Sequence, residues 1–459
     1  MPQSFDAIVI GAGQSGPFLA ARLAGAGWKT ALIERTHLGG TCVNDGCTPT
    51  KALVASARAA HMARRAADFG VVLDGGVSVD MEAVKARKDA VVGASVKSLN
   101  DWLRNMENLI VFDGEGSFVS ASEVAVDGEV LAAPRIFLNT GARPQVPEWP
   151  GIDTVPYLTN TTMMDVDFPP EHLVIAGASY VGLEFAQMYR RFGSKVTVID
   201  RRKLPAPRED AEISEAIRDI LTAEGVEFLF EIKDVSVENT GRGVRLSLTA
   251  GGENRAIEGS HLLLALGRTP NTDALNLPAA GLSANARGFI EVDEHLRTAV
   301  PGIWAMGDVN GRGAFTHTSY NEFEIVADNV IDGGERSLAG RIPAYALYTD
   351  PPLGRAGMNE RQVRETGRPA LVATLPMQKV ARAREKSETQ GMMKIIVDAE
   401  SKRILGAAIL GIEGDEVIHT ILAYMAADKP YTLLQETMHI HPTVSELVPT
   451  LLGGLKPLE

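Results

Sequence analysis

The stretch Gly39-Gly40-Thr41-Cys42-Val43-Asn44-Asp45-Gly46-Cys47-Thr48-Pro49-Thr50-Lys51 holds both cysteines of this 459-residue chain. Two thiols with four residues between them can close and open a disulfide, and packing alone gives no reason for both to fall in one segment. The run from Thr41 into ALVASARAAHMARRAA reads as the opening of an amphipathic helix, so both sulfurs are expected near a helix N-terminus. Free N–H groups and the positive dipole end favour a thiolate there, lowering a thiol pKa from about 8.5. The alternatives are two inert buried cysteines or half of a zinc site. Zinc needs further ligands at metal-like spacing and no third cysteine exists, so no metal site is expected.

A redox pair needs an electron source, and two segments read as dinucleotide-binding units. Residues 6–34 run strand, Gly11-Ala-Gly13-Gln-Ser-Gly16, helix, strand, and end at Glu34. The glycines allow a tight turn and close approach of backbone to a pyrophosphate at the helix N-terminus, and Glu34 is placed to accept from a ribose. Pro17 is tolerated in the first helical turn. A second unit begins at His172 with HLVIAG, Gly177-Ala-Ser179-Tyr180-Val-Gly182, a helix and KVTVID. Ser179 departs from the glycine pattern, and its side chain is expected to crowd the pyrophosphate. Asp200 ends the second strand as an acceptor for a 2′-hydroxyl, favouring NADH, whereas Arg201, Arg202 and Lys203 can neutralise a 2′-phosphate, favouring NADPH. Both coenzymes stay open, with a lean to NADH.

Near the C-terminus stands His439-Ile-His441-Pro442-Thr443-Val-Ser-Glu446. A helix starting near Thr443 would bring Glu446 back to the His441 imidazole, an orienting carboxylate behind a base. Alone, the same pattern is more often a turn histidine beside a helix cap.

Composition narrows the partners. A net charge of −13 argues against nucleic acid or anionic membrane. The N-terminus enters an apolar strand directly, without a signal-like segment, and no apolar run reaches the roughly 20 residues of a membrane span. A cytoplasmic enzyme is expected, and two cysteines in a reducing compartment suit transient redox chemistry.

CVNDGCTPTK resembles the CxxxxC motif of the FAD-dependent pyridine nucleotide-disulfide oxidoreductases, the family of dihydrolipoamide dehydrogenase, glutathione reductase and mercuric reductase. The resemblance spans nearly the whole chain. Thr140-Gly141-Ala-Arg-Pro144 is similar to the family's exit from the flavin domain, Gly267-Arg-Thr-Pro-Asn271 to the return, and Ala305-Met-Gly307-Asp308 to its second flavin motif. It implies an α/β fold with two Rossmann-like domains, for FAD and NAD(P), and a C-terminal α+β dimerisation domain. The implied boundaries are 1–145 and 271–338 for FAD, 146–270 for NAD(P) and 339–459 for the interface.

The resemblance also implies roles. Gly40, Thr41, Thr140, Gly141, Gly267, Gly307 and Asp308 join the first glycine loop around FAD, with Asp308 accepting from the ribityl chain. Cys47 is the flavin-side thiolate and Cys42 the interchange thiol. Lys51 and Glu184 form an ion pair beside the flavin, and Tyr180 covers the nicotinamide pocket. His441 and Glu446 complete the active site of the other subunit in a homodimer; His439 is structural. The implied activity is reduction of a small or protein-borne disulfide by NADH or NADPH. A dihydrolipoamide dehydrogenase is a second possibility, although its usual CIPSK is CTPTK here. Similarity to mercuric reductase-like and reactive-chlorine-resistance flavoproteins leaves metal-ion reduction as a third. Against mercury, LLGGLKPLE carries no cysteine pair and histidine stands where mercuric reductases tend to have tyrosine.

Overall fold

Short apolar runs become the central strands of two parallel sheets in the computed structural model, which describes residues 1–458. Ala7–Ile10, Thr30–Glu34 and Ile136–Leu138 are buried almost throughout, as strands covered on both faces must be. With Ile303–Ala305 and Leu109–Asp113 they form a five-stranded parallel sheet ordered 303–305, 136–138, 7–10, 30–34, 109–113. Helix Gly16–Gly25 crosses from the first of its strands to the next, with Pro17 in its first turn.

The second unit repeats the plan. His172–Ala176 lies between His261–Leu264 and Lys195–Ile199, with Tyr157–Leu158 and Val226–Leu229 at the edges, all parallel. Strands Lys233–Asn239, Val244–Ala250 and Glu253–Gly259 form an antiparallel sheet whose apolar residues share a core with Val174, Ala176 and Ile199. Between the two units, Ala142–Pro144 pairs antiparallel with Arg268–Pro270. The TGARP and GRTPN segments are therefore the two strands of one crossing.

From Ala344 the chain builds a six-stranded antiparallel sheet with helices Gly414–Ala426, Tyr431–Glu436 and Val448–Leu452 against it. Leu347, Leu353, Ala408 and Leu410 of this sheet enter the same core as Phe185, Met188 and Phe192 of the second unit. Two buried cations cross that seam: Arg355 reaches Asp210 at 3.1 Å and Lys394 reaches it at 3.3 Å. This is the α/β architecture expected of two Rossmann-like units and an α+β C-terminal block. Among the described residues no helix is long and apolar enough to cross a membrane.

One local expectation is corrected. The helix expected from Thr41 is broken into Gly40–Asn44 and Cys47–Arg64. Gly46 leaves the helical region at φ −128°, ψ −114°, and a Cβ there would lie 2.7 Å from the Thr41 carbonyl oxygen. Cys42 thus sits inside a short turn, and only Cys47 opens the long helix. The dipole favours one thiolate, not two.

Candidate active site

Helix breakage at Asp45-Gly46 leaves Cys42 and Cys47 as two free thiols on the wall of one cavity, close enough to shift each other's titration. Cys47 Sγ also lies 3.1 Å from Thr316 Oγ1, at the start of helix Thr316–Ala327. The pKa of Cys47 falls to about 6, chiefly through the hydrogen bond from Cys42, then through Thr316 and the Lys51 charge, against burial and Glu184. That of Cys42 is raised by the same bond and by burial. The pair is therefore unequal: Cys47 carries the charge and Cys42 the proton.

A depressed pKa keeps the Cys47 thiolate populated above about pH 6 and loses it below. Alkylation of the reduced protein by iodoacetamide, mapped by mass spectrometry, is expected to rise at Cys47 with a midpoint near pH 6. Thr316→Val should move that midpoint upward. A wild-type midpoint between pH 8 and 9, near the reference thiol, would contradict the assignment.

One turn along the helix, Lys51 Nζ lies 2.9 Å from Glu184 Oε2 and 4.5 Å from the centre of the Tyr348 ring. Burial opposes the Lys51 charge, but Glu184 outweighs it and raises the lysine pKa. Glu184 Oε1 also accepts from the Tyr348 N–H at 3.0 Å, which ties the pair to the C-terminal sheet. Tyr180 opens helix Tyr180–Phe192, and its hydroxyl donates to Glu209 at 2.8 Å. Tyr345 donates to the same oxygen at 2.8 Å, and its ring stacks on Phe315, which precedes Thr316. Burial raises both phenol pKa values, so both remain donors.

Two cradles flank the sulfurs. Gly11 has φ +98° with space for a Cβ denied by Asn139 O at 2.3 Å, and Gly177 has φ +111° with Ala265 O at 2.3 Å. Beyond each turn the N–H groups of Gly13 and Gln14, and of Ser179 and Tyr180, take no partner among the described residues. Free N–H groups at a helix N-terminus fit a pyrophosphate. Ser179 is extended and lines the cavity, leaving its N–H open despite the extra side chain. The acids at the strand ends also match: Glu34 accepts from Ala12 N at 2.7 Å and Thr36 N at 2.9 Å, Asp200 from Ala178 N and Arg202 N, both at 2.8 Å. Arg201 is exposed, and Arg202 Nη1 approaches Asp200 at 3.8 Å. Arg268 Nε approaches Asp308 at 3.4 Å, and burial raises the Asp308 pKa. The residues present fit two dinucleotides.

A single cavity of about 2240 Å³ joins these parts, lined by Gly11, Gly13, Glu34, Gly40 and Thr41 of the first unit and by Gly177, Ser179, Asp200 and Arg201 of the second. Cys42, Cys47, Lys51, Tyr180, Glu184, Thr140, Gly141, Gly267 and Asp308 line the same space. Gly16, Gly182 and Gly307 stand behind it, each packed where a Cβ would strike a neighbour within 3 Å. His441 and Glu446 do not line it. Their own pairing is as expected, His441 Nδ1 to Glu446 Oε2 at 2.8 Å, with the histidine side chain 74% exposed. The helix expected from Thr443 starts later, as a 3₁₀ turn at Ser445–Leu447.

Sequence reasoning missed Thr316, Tyr348, Tyr345, Glu209 and Asn139. Thr316 lies in THTS, where nothing distinguishes one threonine from the other. The rest come from distant segments with no motif.

Two nucleotide cradles joined by one cavity around a cysteine pair define a dinucleotide-dependent disulfide oxidoreductase. Residues 5–322 match the family described as pyridine nucleotide-disulphide oxidoreductase, and residues 343–452 match its dimerisation domain. The chain belongs to that family and is a flavoprotein oxidoreductase whose cofactors are FAD and NAD(P)H. It is 36% identical to the probable pyridine nucleotide-disulfide oxidoreductase RclA of Escherichia coli K12, over 98% of this chain and 99% of that one. It is 35% identical to the mercuric reductase of Streptomyces lividans, over 96% and 94%. The solved Cu(II) complex of the HOCl-induced flavoprotein disulfide reductase RclA from Escherichia coli aligns with a TM-score of 0.89 at 35% identity, covering 99% of each chain.

Proposed function

We propose that Cys42 and Cys47 are the redox disulfide of this enzyme, that NADH is its preferred donor, and that its acceptor is itself a disulfide. The observation that carries this is the one cavity that both sulfurs line together with both glycine loops. The loop Gly11–Gly16, Glu34, Gly40, Thr41, Thr140, Gly141, Gly267, Gly307 and Asp308 would hold FAD; Gly177, Ser179, Tyr180, Gly182, Asp200 and Arg201 would hold the nicotinamide coenzyme. When bound, FAD supplies hydride acceptance from NAD(P)H and delivery of an electron pair to the adjoining disulfide. We assign residues 1–145 and 271–338 to that first domain, 146–270 to the second and 339–459 to the interface.

The chain's own groups then act in sequence. Cys47 leaves the reduced disulfide as a thiolate, stabilised by Thr316, the Cys42 thiol and Lys51. Glu184 holds Lys51 in place. Cys42 must lose its proton to attack, and the partner subunit's His441, oriented by its own Glu446, receives it. Attack on a substrate disulfide forms a mixed disulfide and releases one thiol, which takes the proton back from the imidazolium. Cys47 then attacks Cys42, restores the internal disulfide and expels the second product as a thiolate, which takes its proton from solvent. The sulfur pair delivers two electrons and, through His441, one proton.

Metal-ion reduction is the second reading, favoured by the Cu(II) complex of the E. coli relative. Among the described residues no group of three or more His, Cys, Asp or Glu in one chain is arranged to hold a metal. CTPTK in place of CIPSK argues against dihydrolipoamide as the substrate. The test is steady-state turnover at fixed NADH with small disulfides, an oxidised protein dithiol, Cu(II) and Hg(II). Turnover of metal ions with none of any disulfide would overturn the proposal.

Asp200 decides the coenzyme. Its carboxylate, fixed by two N–H donors at the end of its strand, would accept from a ribose hydroxyl and would repel a 2′-phosphate. Flavin reduction in anaerobic stopped flow is expected to favour NADH over NADPH by about tenfold in kcat/KM. Equal values would mean that Arg201 and Arg202 outweigh the acid.

A further inference from the structure

The two glycine loops share their backbone anchoring to the sheets behind them. Gly11 N donates to Ile33 O and Gly177 N to Ile199 O, both at 2.8 Å. On the neighbouring strand of each sheet, Asn139 N donates to Ile10 O and Ala265 N to Ala176 O, both at 2.7 Å. Asn139 and Ala265 are thus equivalent, yet one carries a carboxamide and the other a methyl group.

Asn139 is 5% exposed, and both the oxygen and the nitrogen of its carboxamide are hydrogen-bonded. Its Oδ1 accepts from Gly16 N at 3.0 Å and Ser15 N at 3.3 Å, in the first turn of helix Gly16–Gly25. Its Nδ2 donates to Met306 O at 2.9 Å, just before Gly307-Asp308. A Cβ at Gly13 or at Gly307 would come within 2.8 Å of this side chain. In the second unit Val181 N and Gly182 N, the counterparts of Ser15 and Gly16, have no partner among the described residues. Ser15 Oγ adds a second tie, to Ser319 O at 2.6 Å.

We infer that Asn139 is a positioning residue that fixes the pyrophosphate loop and the Met306–Asp308 turn at one separation, so that the first unit retains its FAD. The second unit, with Ala265, lacks this lock and exchanges its dinucleotide. Binding to turns already held in place costs less ordering than binding to turns that must be fixed on arrival. The inference rests on the assignment of FAD to the first unit.

The test measures FAD release from holoenzyme by the rise in free-flavin fluorescence after dilution, alongside the Kd of NADH and the melting temperature. Asn139→Ala is expected to release FAD roughly tenfold to a hundredfold faster with NADH affinity unchanged, because two N–H groups and a carbonyl lose their partner. Asn139→Asp keeps the acceptor but cannot donate to Met306 O, and should also release FAD faster than wild type. FAD release within about twofold of wild type in both variants, or equal weakening of both dinucleotides, would overturn the inference. A variant that folds only when FAD is in excess supports it; one that fails to fold equally with and without added FAD counts against it. Glu34→Ala separates the two levels. If it loosens FAD while the Asn139 variants do not, the lock alone is wrong; if it leaves FAD retention unchanged, the assignment of FAD to this unit fails first.

Discussion

Cys47→Ser is expected to lower kcat/KM for a disulfide acceptor by roughly a thousandfold or more, the scale on which removal of a covalent-catalysis residue acts. A hydroxyl cannot form the internal disulfide, so no electron pair can be stored between coenzyme and substrate. FAD content should stay near wild type, because the Cys47 side chain faces the cavity and supports no core packing. Cys42→Ser should stop turnover equally, for a different reason: the attacking sulfur is gone. Cys42→Ala should in addition raise the Cys47 pKa, since the Cys42 hydrogen bond is the largest cause of its depression and alanine has no donor to replace it. If Cys47→Ser retained disulfide turnover, the acceptor would be drawing electrons without the sulfur pair.

The second large effect is expected at His441. His441→Ala should lower disulfide turnover by about 10² to 10⁴, the range for loss of a general acid–base group, while coenzyme-driven flavin reduction proceeds. Cu(II) turnover, which needs no proton shuttle, should fall far less. Subunit mixing tests where the histidine acts. Cys47→Ser and His441→Ala chains are each inactive, yet a mixed dimer contains one site with an intact sulfur pair facing an intact histidine. Random exchange should restore about a quarter of wild-type activity, since half of the dimers are mixed and each has one good site. No recovery, with mixed dimers demonstrated, would place His441 and the cysteines in one chain.

Much of this was legible in the chain itself, for a physical reason. Chemistry that depends on backbone geometry leaves a local record: the glycine loops, the acids at Glu34 and Asp200, and the CxxxxC spacing all sit within 30 residues of what they serve. The pairings Lys51 with Glu184 and His441 with Glu446 were expected and are found at 2.9 and 2.8 Å. Contacts made by tertiary packing left no such record. Thr316 meets Cys47 across 269 positions and Tyr348 N meets Glu184 across 164. Asn139 looks in sequence like the end of an ordinary strand, IFLN. Its role comes from Ser15, Gly16 and Met306 converging on it. Nothing in ENRAIEG announces strand Glu253–Gly259, because only Ile257 and Gly259 of it are buried, too few for a period-two pattern. The break at Asp45-Gly46 was missed because helix propensity outside it is strong and the contact that forbids continuation, Gly46 against Thr41 O, exists only after folding.

The most direct measurement counts thiols. Oxidised holoenzyme, denatured under anaerobic conditions in the presence of a thiol reagent, is expected to show no free sulfhydryl per chain. After one equivalent of NADH it should show two, because the chain has two cysteines and both belong to the couple. Two free thiols before NADH, or none after it with the flavin reduced, would contradict the claim that this enzyme stores its electrons on sulfur.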